Sequence, residues 1–217
     1  MLNMTVGLAM ILLVIGNLVA VFSDALIKTL SDDIAVYQFV LFRQITAALI
    51  LLPLCFIGKK TAFKQGLKWH VIRGHIWLIG AVFMVIAISS MPLATVNAIF
   101  YAAPLLMLPL AMVLFNEKLS KHAVGVAIFG FIGVLIVIRP THIDWAAIAA
   151  LIVAFTMAVN NLLIRKLPKQ QNVFQTLFMT NIVGIPIAFA LALYEGKPWD
   201  FTPMLTAAGS SSFILIY

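Results

Sequence analysis

The sequence predicts an all-α polytopic membrane protein of inverted five-helix repeats, the first complete (residues 1–140) and the second partial (141–217), with about 7–8 of an expected 10 transmembrane helices present. Three observations predict it. First, 64% of the 217 residues are apolar and 10% are charged, with a mean hydropathy of +1.12, whereas a water-soluble domain carries roughly a quarter charged residues. Second, the apolar residues fall in runs that approach the ~20 helical residues needed to cross a bilayer core. Third, polar positions recur at an offset of 137 residues.

The runs follow in order. Residues 6–30 have no basic segment before them and no small-x-small cleavage pattern, so they read as a retained first span, not a signal peptide. Residues 36–57 form the second span and carry Arg43; 74–90 form a short third. The fourth, 93–115, contains Pro104, the fifth is 124–138, and the sixth is 146–164. The seventh, 173–193, contains Pro186, and an eighth begins near Leu205. Each internal proline removes a backbone hydrogen bond and is expected to kink its helix.

Lys and Arg set the expected orientation. Lys59, Lys60, Lys64, Lys68 and Arg73 follow span two, Lys118 and Lys121 follow span four, and Arg165, Lys166 and Lys169 follow span six. Only Lys28, Arg139 and Lys197 fall on the other side, so the positive-inside rule puts the N-terminus in the cytoplasm of a bacterial inner membrane. This loop placement also reads the net charge of +7 as topogenic and not as a nucleic-acid footprint. Trp69, Trp145 and Trp199 stand at span ends, where aromatic anchors belong.

The offset of 137 lays residues 23–30 on 160–167 and, without a gap, Val36-Tyr37-Gln38 on Val173-Phe174-Gln175. It pairs Asp24 with Asn161, Lys28 with Arg165 and Gln38 with Gln175. Five spans separate the copies, so the second is inverted, the arrangement of alternating-access transporters with a site near mid-membrane. Tyr217 falls on position 80, and the first copy closes near Arg139, so about 59 residues of a second copy are expected beyond this chain.

The stretch 92–140 carries Pro92-Leu93-Ala94 before span four, Pro104 within it, Glu117-Lys118-Leu119 after it, and Gly125, Gly130 and Gly133 along span five. With Phe42-Arg43 in span two, it resembles the EamA-type proteins of the drug/metabolite transporter superfamily. The resemblance covers the first repeat completely and about half of the second. It implies a ten-helix bundle, both termini cytoplasmic, and a central cavity. It also implies secondary transport of a small metabolite such as an amino acid, vitamin or nucleotide-like compound. The Asp24-x-x-x-Lys28 pattern is similar to relatives linked to riboflavin or S-adenosylmethionine uptake.

Polar residues inside spans are the cavity candidates, because a polar group facing lipid is costly. They are Asn17 and Asp24 in span one, Arg43 in span two, Asn97 and Tyr101 in span four, Asn161 in span six, and Gln175 and Asn181 in span seven. Asp24 and Lys28, four residues apart, read as a structural ion pair. Arg43 reads equally as a member of that cluster or as the binder of an anionic group. Ala94, Ala98 and Ala102 read as a helix-packing stripe, and Glu117 as a solvated turn.

The single cysteine, Cys55, reads as a small buried hydrophobe. His70, His75, His122 and His142 sit in loops or at span ends without metal-ligand spacing, so no metal and no cofactor is expected. The partners expected are the lipid bilayer and a small-molecule substrate, with no nucleic acid, and a homodimer is compatible with the same architecture. Two alternatives compete with transport: a membrane-embedded enzyme, which needs clustered nucleophiles or acids that the spans lack, and an accessory half-protein without transport activity of its own.

Overall fold

A computed structural model of the chain describes residues 6–29, 34–56, 65–138 and 144–216. The described residues form nine α-helices and one 3₁₀ turn: α1 Val6–Lys28, α2 Val36–Leu54, α3 Leu67–Ser90, α4 Leu93–Phe100, α5 Ala103–Phe115, α6 Lys121–Ile138, α7 Trp145–Leu163 with the 3₁₀ turn Ile164–Lys166, α8 Val173–Tyr194 and α9 Met204–Ile216. Five elements, counting α4 with α5 as one, are long and apolar enough to cross a membrane. The chain is a multi-pass membrane protein, and its outward side chains agree: Phe129 and Val126 on α6 are 81% and 66% exposed, an apolar surface suited to lipid and not to water.

Two helix boundaries differ from the sequence expectation. Helix α3 starts at Leu67, not near residue 74, so His70 and Arg73 lie within a helix and not in a loop. The fourth span is broken: α4 ends at Phe100 and α5 starts at Ala103. Pro104 sits in the first turn of α5, where its missing N–H would have no intrahelical acceptor in any case. The break therefore falls just ahead of the proline. Helix α8, in contrast, runs unbroken through Pro186.

The bundle is organised around α2 and α8, which pack along their length. At one end the Gln38 amide donates to the Lys197 and Pro198 carbonyls (3.0 and 3.2 Å), and the Glu195 carboxylate accepts from the Tyr37 and Gln38 N–H groups that begin α2. At the other end the Gln175 amide donates to the Cys55 carbonyl at 3.3 Å. The two helices are thus antiparallel and joined at both ends. Helix α3 packs on α7 and α8, and α9 packs on α1 and α2. Six alanines of α7, among them Ala149 and Ala154 at 0% exposure, let α3 and α5 approach closely.

The charged loops gather at one end. Lys68 and Lys166 both lie about 6 Å from the Trp69 ring, Lys166 and Arg165 lie over Phe115, and Arg165 pairs with Glu117. The described residues after spans two, four and six therefore share one face; Lys59, Lys60, Lys64, Arg139 and His142 lie outside the described residues. At the opposite end Lys28 donates to the Ser89 and Met91 carbonyls (2.9 and 3.1 Å), placing a cation on the C-terminus of α3. Trp199 packs there beside Phe42 and Phe189, while Trp145 packs edge-on to Phe83.

Candidate functional site

Two buried polar clusters interrupt the apolar interior. The first joins α1, α2 and α4. Asp24 and Arg43 are each 6% exposed, carry opposite charges across the α1/α2 boundary, and interact electrostatically. Asn97 of α4 stands beside Asp24 and donates to its own Leu93 carbonyl at 3.2 Å. The Arg43 guanidinium sends Nη1 toward the Met84 sulfur at 3.7 Å, and its Nη2 is buried without a partner. The Arg43 backbone carbonyl accepts from Ser211 Oγ at 2.9 Å.

The expected Asp24–Lys28 ion pair does not form. Lys28 turns to the end of α3 instead, and among the described residues the one ion pair is Arg165–Glu117. The reason is geometric. Asp24 faces the bundle interior, where Arg43 is its compensating charge, while Lys28 reaches the polar end of α3 and keeps its head outside the apolar core.

Seven residues before Asp24, Asn17 accepts from the Tyr101 hydroxyl at 3.3 Å. These two residues line a groove of about 360 Å³ with Val14, Leu18 and Val21. Because 17 and 24 lie two turns apart on α1, and 97 and 101 one turn apart on α4, the pairs Asn17–Tyr101 and Asp24–Asn97 form a polar strip along one helix boundary. Tyr101 is half exposed on this strip, at the break between α4 and α5.

The second cluster joins α3, α7 and α8 nearer the Lys68/Lys166 end. Arg73 is buried; its Nε donates to Asn160 Oδ1 at 3.0 Å, its Nη1 reaches Thr180 Oγ1 at 3.5 Å, and Asn160 Nδ2 donates back to the Arg73 carbonyl at 3.2 Å. Gly74 makes the approach of α3 to α8 possible: a Cβ there would stand 2.9 Å from the Thr180 carbonyl oxygen. Next to Arg43, the Gln44 amide is buried with both polar atoms unpartnered, packed against Gly184, where a Cβ would stand 2.6 Å from its nitrogen.

The remaining expected residues are dispersed. Asn161 points outward and is exposed; its neighbour Asn160 is the buried one. Gln175 closes a capping box with Asn172 at the start of α8, at the Cys55 end of α2, away from Asp24 and Arg43. Asn181 is buried but bonds its own helix, to the Leu177 carbonyl at 2.8 Å. Sequence reasoning missed Arg73, His70 and Gln44. The signal available for Arg73 was the offset of 137, which lays Arg73 on Ser210 and Ser23 on Asn160: Ser23 and Ser210 are themselves hydrogen-bonded, Oγ to Oγ at 2.7 Å.

Against known proteins, the EamA-like transporter family matches residues 7–139. An S-adenosylmethionine uptake transporter of Rickettsia prowazekii is 26% identical over 201 residues, covering 90% of this chain and 68% of the relative. An uncharacterized transporter of Helicobacter pylori is 31% identical over 141 residues, covering 62% and 46%. A pseudopaline exporter of Pseudomonas aeruginosa is 21% identical over 177 residues, covering 77% and 61%. No solved structure matches the chain.

Proposed function

Because the chain belongs to the EamA-like transporter family, we propose that it carries a small zwitterionic metabolite of the S-adenosylmethionine kind across the bacterial inner membrane by alternating access. The family is one of transporters and not of enzymes. The observation that carries the substrate reading is the meeting of Asp24 and Arg43 beside Asn97, inside a lipid-facing bundle. A guanidinium grips a carboxylate with two parallel hydrogen bonds, and a carboxylate accepts from an ammonium group. Arg43 keeps Nη2 unpartnered for that purpose, while Asp24 faces it across the α1/α2 boundary. Charges of this kind inside a span usually face a substrate path.

The inverted-repeat reading is supported by the packing. At the offset of 137, α3 on α7 corresponds to α9 on α1, and α3 on α8 corresponds to α9 on α2; all four junctions are present. The Arg73–Asn160 bond corresponds to Ser210–Ser23, and Gly74 against the Thr180 carbonyl corresponds to Ser211 against the Arg43 carbonyl. With the Lys68/Lys166 end cytoplasmic, the N-terminus is cytoplasmic and Asp24–Arg43 lies toward the outside.

The test is uptake of labelled S-adenosylmethionine, competed with methionine and with unrelated metabolites, into proteoliposomes containing the protein. Saturable uptake that Arg43→Ala abolishes, with membrane insertion intact, is the expected result. Normal uptake by that variant removes Arg43 from the binding site. No flux of any zwitterion, with flux of an uncharged metabolite instead, refutes the substrate class.

A further inference from the structure

We propose that Arg73 and His70, supported by Asn160 and Thr180, form a second station for the transported zwitterion near the Lys68/Lys166 end. This rests on the transport reading above. Arg73 takes the carboxylate, and His70 Nδ1 accepts from the ammonium group.

Three observations lead there. Arg73 is 6% exposed, and its hydrogen bonds go to neutral groups, Asn160 Oδ1 and Thr180 Oγ1; no carboxylate pairs with it among the described residues. A buried cation in a membrane interior ordinarily has a counter-charge. Helix packing does not demand this one. The corresponding junction between α1 and α9 is closed by two hydroxyls, Ser23 and Ser210, without any charge.

His70 supplies the complementary group. It is 0% exposed and one turn before Arg73, on the same face of α3. Its Nε2 lies 2.8 Å from Gln171 Oε1, and Gln171 Nε2 donates to the Gln65 carbonyl at 3.1 Å. That second bond fixes Oε1 as the acceptor, so Nε2 carries the proton and Nδ1 presents a lone pair. Nδ1 is buried and has no partner. A buried guanidinium one helical turn from an unfilled acceptor differs from Arg43, which has Asp24 as its counter-charge, in leaving both charges of a zwitterion to be supplied by the ligand. Met84, which touches Arg43, stands eleven residues beyond Arg73 on α3. At 1.5 Å per residue the two stations are about 16 Å apart along one helix, one toward each side of the membrane.

The test measures uptake of labelled S-adenosylmethionine and of its decarboxylated analogue in membrane vesicles of both orientations, using the full chain. At the Lys68/Lys166 face, the parent protein is expected to prefer the carboxylate-bearing compound at least tenfold. Arg73→Gln is expected to raise the half-saturation concentration at that face at least tenfold, erase the preference, and leave the opposite face within twofold. Arg73→Lys, which keeps the charge, is expected to restore part of the preference. Equal effects at both faces, or none at either, mark Arg73 as structural and overturn the proposal. So does a parent protein that takes up the decarboxylated analogue equally well at that face, a result that needs no variant. A parent protein that moves neither compound overturns the transport reading and this station with it.

Discussion

Replacing Arg43 by glutamine tests whether the buried charge pair is structural, functional or both. The change leaves Asp24 as a 6% exposed carboxylate supported by Asn97. Asp24 and Arg43 attract each other from beyond salt-bridge distance, so removing one costs less than the about 3–5 kcal/mol of a contacting buried pair. Arg43 Nη2 also had no partner to lose, so the expected cost is about 2 kcal/mol. At about 2–4 °C per kcal/mol for a chain of this length, the midpoint of unfolding falls by about 4–8 °C. Asp24→Asn strands the arginine and falls by a similar amount. The double variant strands neither charge and returns to within about 1 kcal/mol of the parent, a coupling of about 3 kcal/mol, the upper end for interacting residues. Thermal unfolding in detergent measures the stability arm. Uptake in proteoliposomes measures the functional arm, and all three variants are expected to be inactive. Losses that add within about 0.5 kcal/mol would refute the interaction. A double variant that transports would refute the role of the pair in binding.

Gly74→Ala places a Cβ 2.9 Å from the Thr180 carbonyl and 3.1 Å from the Val183 side chain. Overpacking against backbone is expected to cost about 1–3 kcal/mol, read as a lowered unfolding midpoint; an unchanged midpoint contradicts the close approach. Ser23→Cys with Ser210→Cys, in a Cys55→Ser background, puts two thiols where hydroxyls lie 2.7 Å apart. Oxidation is expected to cut uptake at least tenfold and reductant to restore it; undiminished uptake when oxidised means that α1 and α9 need not separate. Glu117→Gln removes a half-exposed ion pair with Arg165 and is expected to change stability by less than about 0.5 kcal/mol. Single cysteines at positions 68 and 166 are expected to react with an impermeant thiol reagent from the same side of the membrane, and labelling from opposite sides would end the two-repeat reading.

Hydropathy located the spans because lipid contact demands long apolar runs, and it failed where a span carries its polar residues inward. Helix α3 is the clearest case. His70 and Arg73 lower the hydropathy of its first two turns, so the segment resembles a loop, yet both side chains are buried, Arg73 against α7 and α8 and His70 against Gln171. The choice between Asn160 and Asn161 was likewise unreadable from an apolar run, since either orientation of α7 hides one of them. The break between α4 and α5 was legible as a proline effect, but not its position ahead of Pro104. Asp24 and Arg43 were legible as charges out of place. Their nearness was legible as one of two readings of Arg43; the departure of Lys28 to the end of α3 was not, because nothing in the sequence shows which face of α1 turns inward.

The ties at the two ends of α2 and α8 limit how the protein can move. Gln38 and Glu195 knot one end, and Gln175 knots the other to Cys55, each by a side chain bonded to a backbone group of the partner segment. Such a pair behaves as an axle. It can turn and tilt as a unit, and splaying it like opening scissors would first break these bonds at one end. Motion that exposes Arg43 to one side must then be borne by the helices hung on that axle: α1 with α9 on one flank, α3 with α7 on the other.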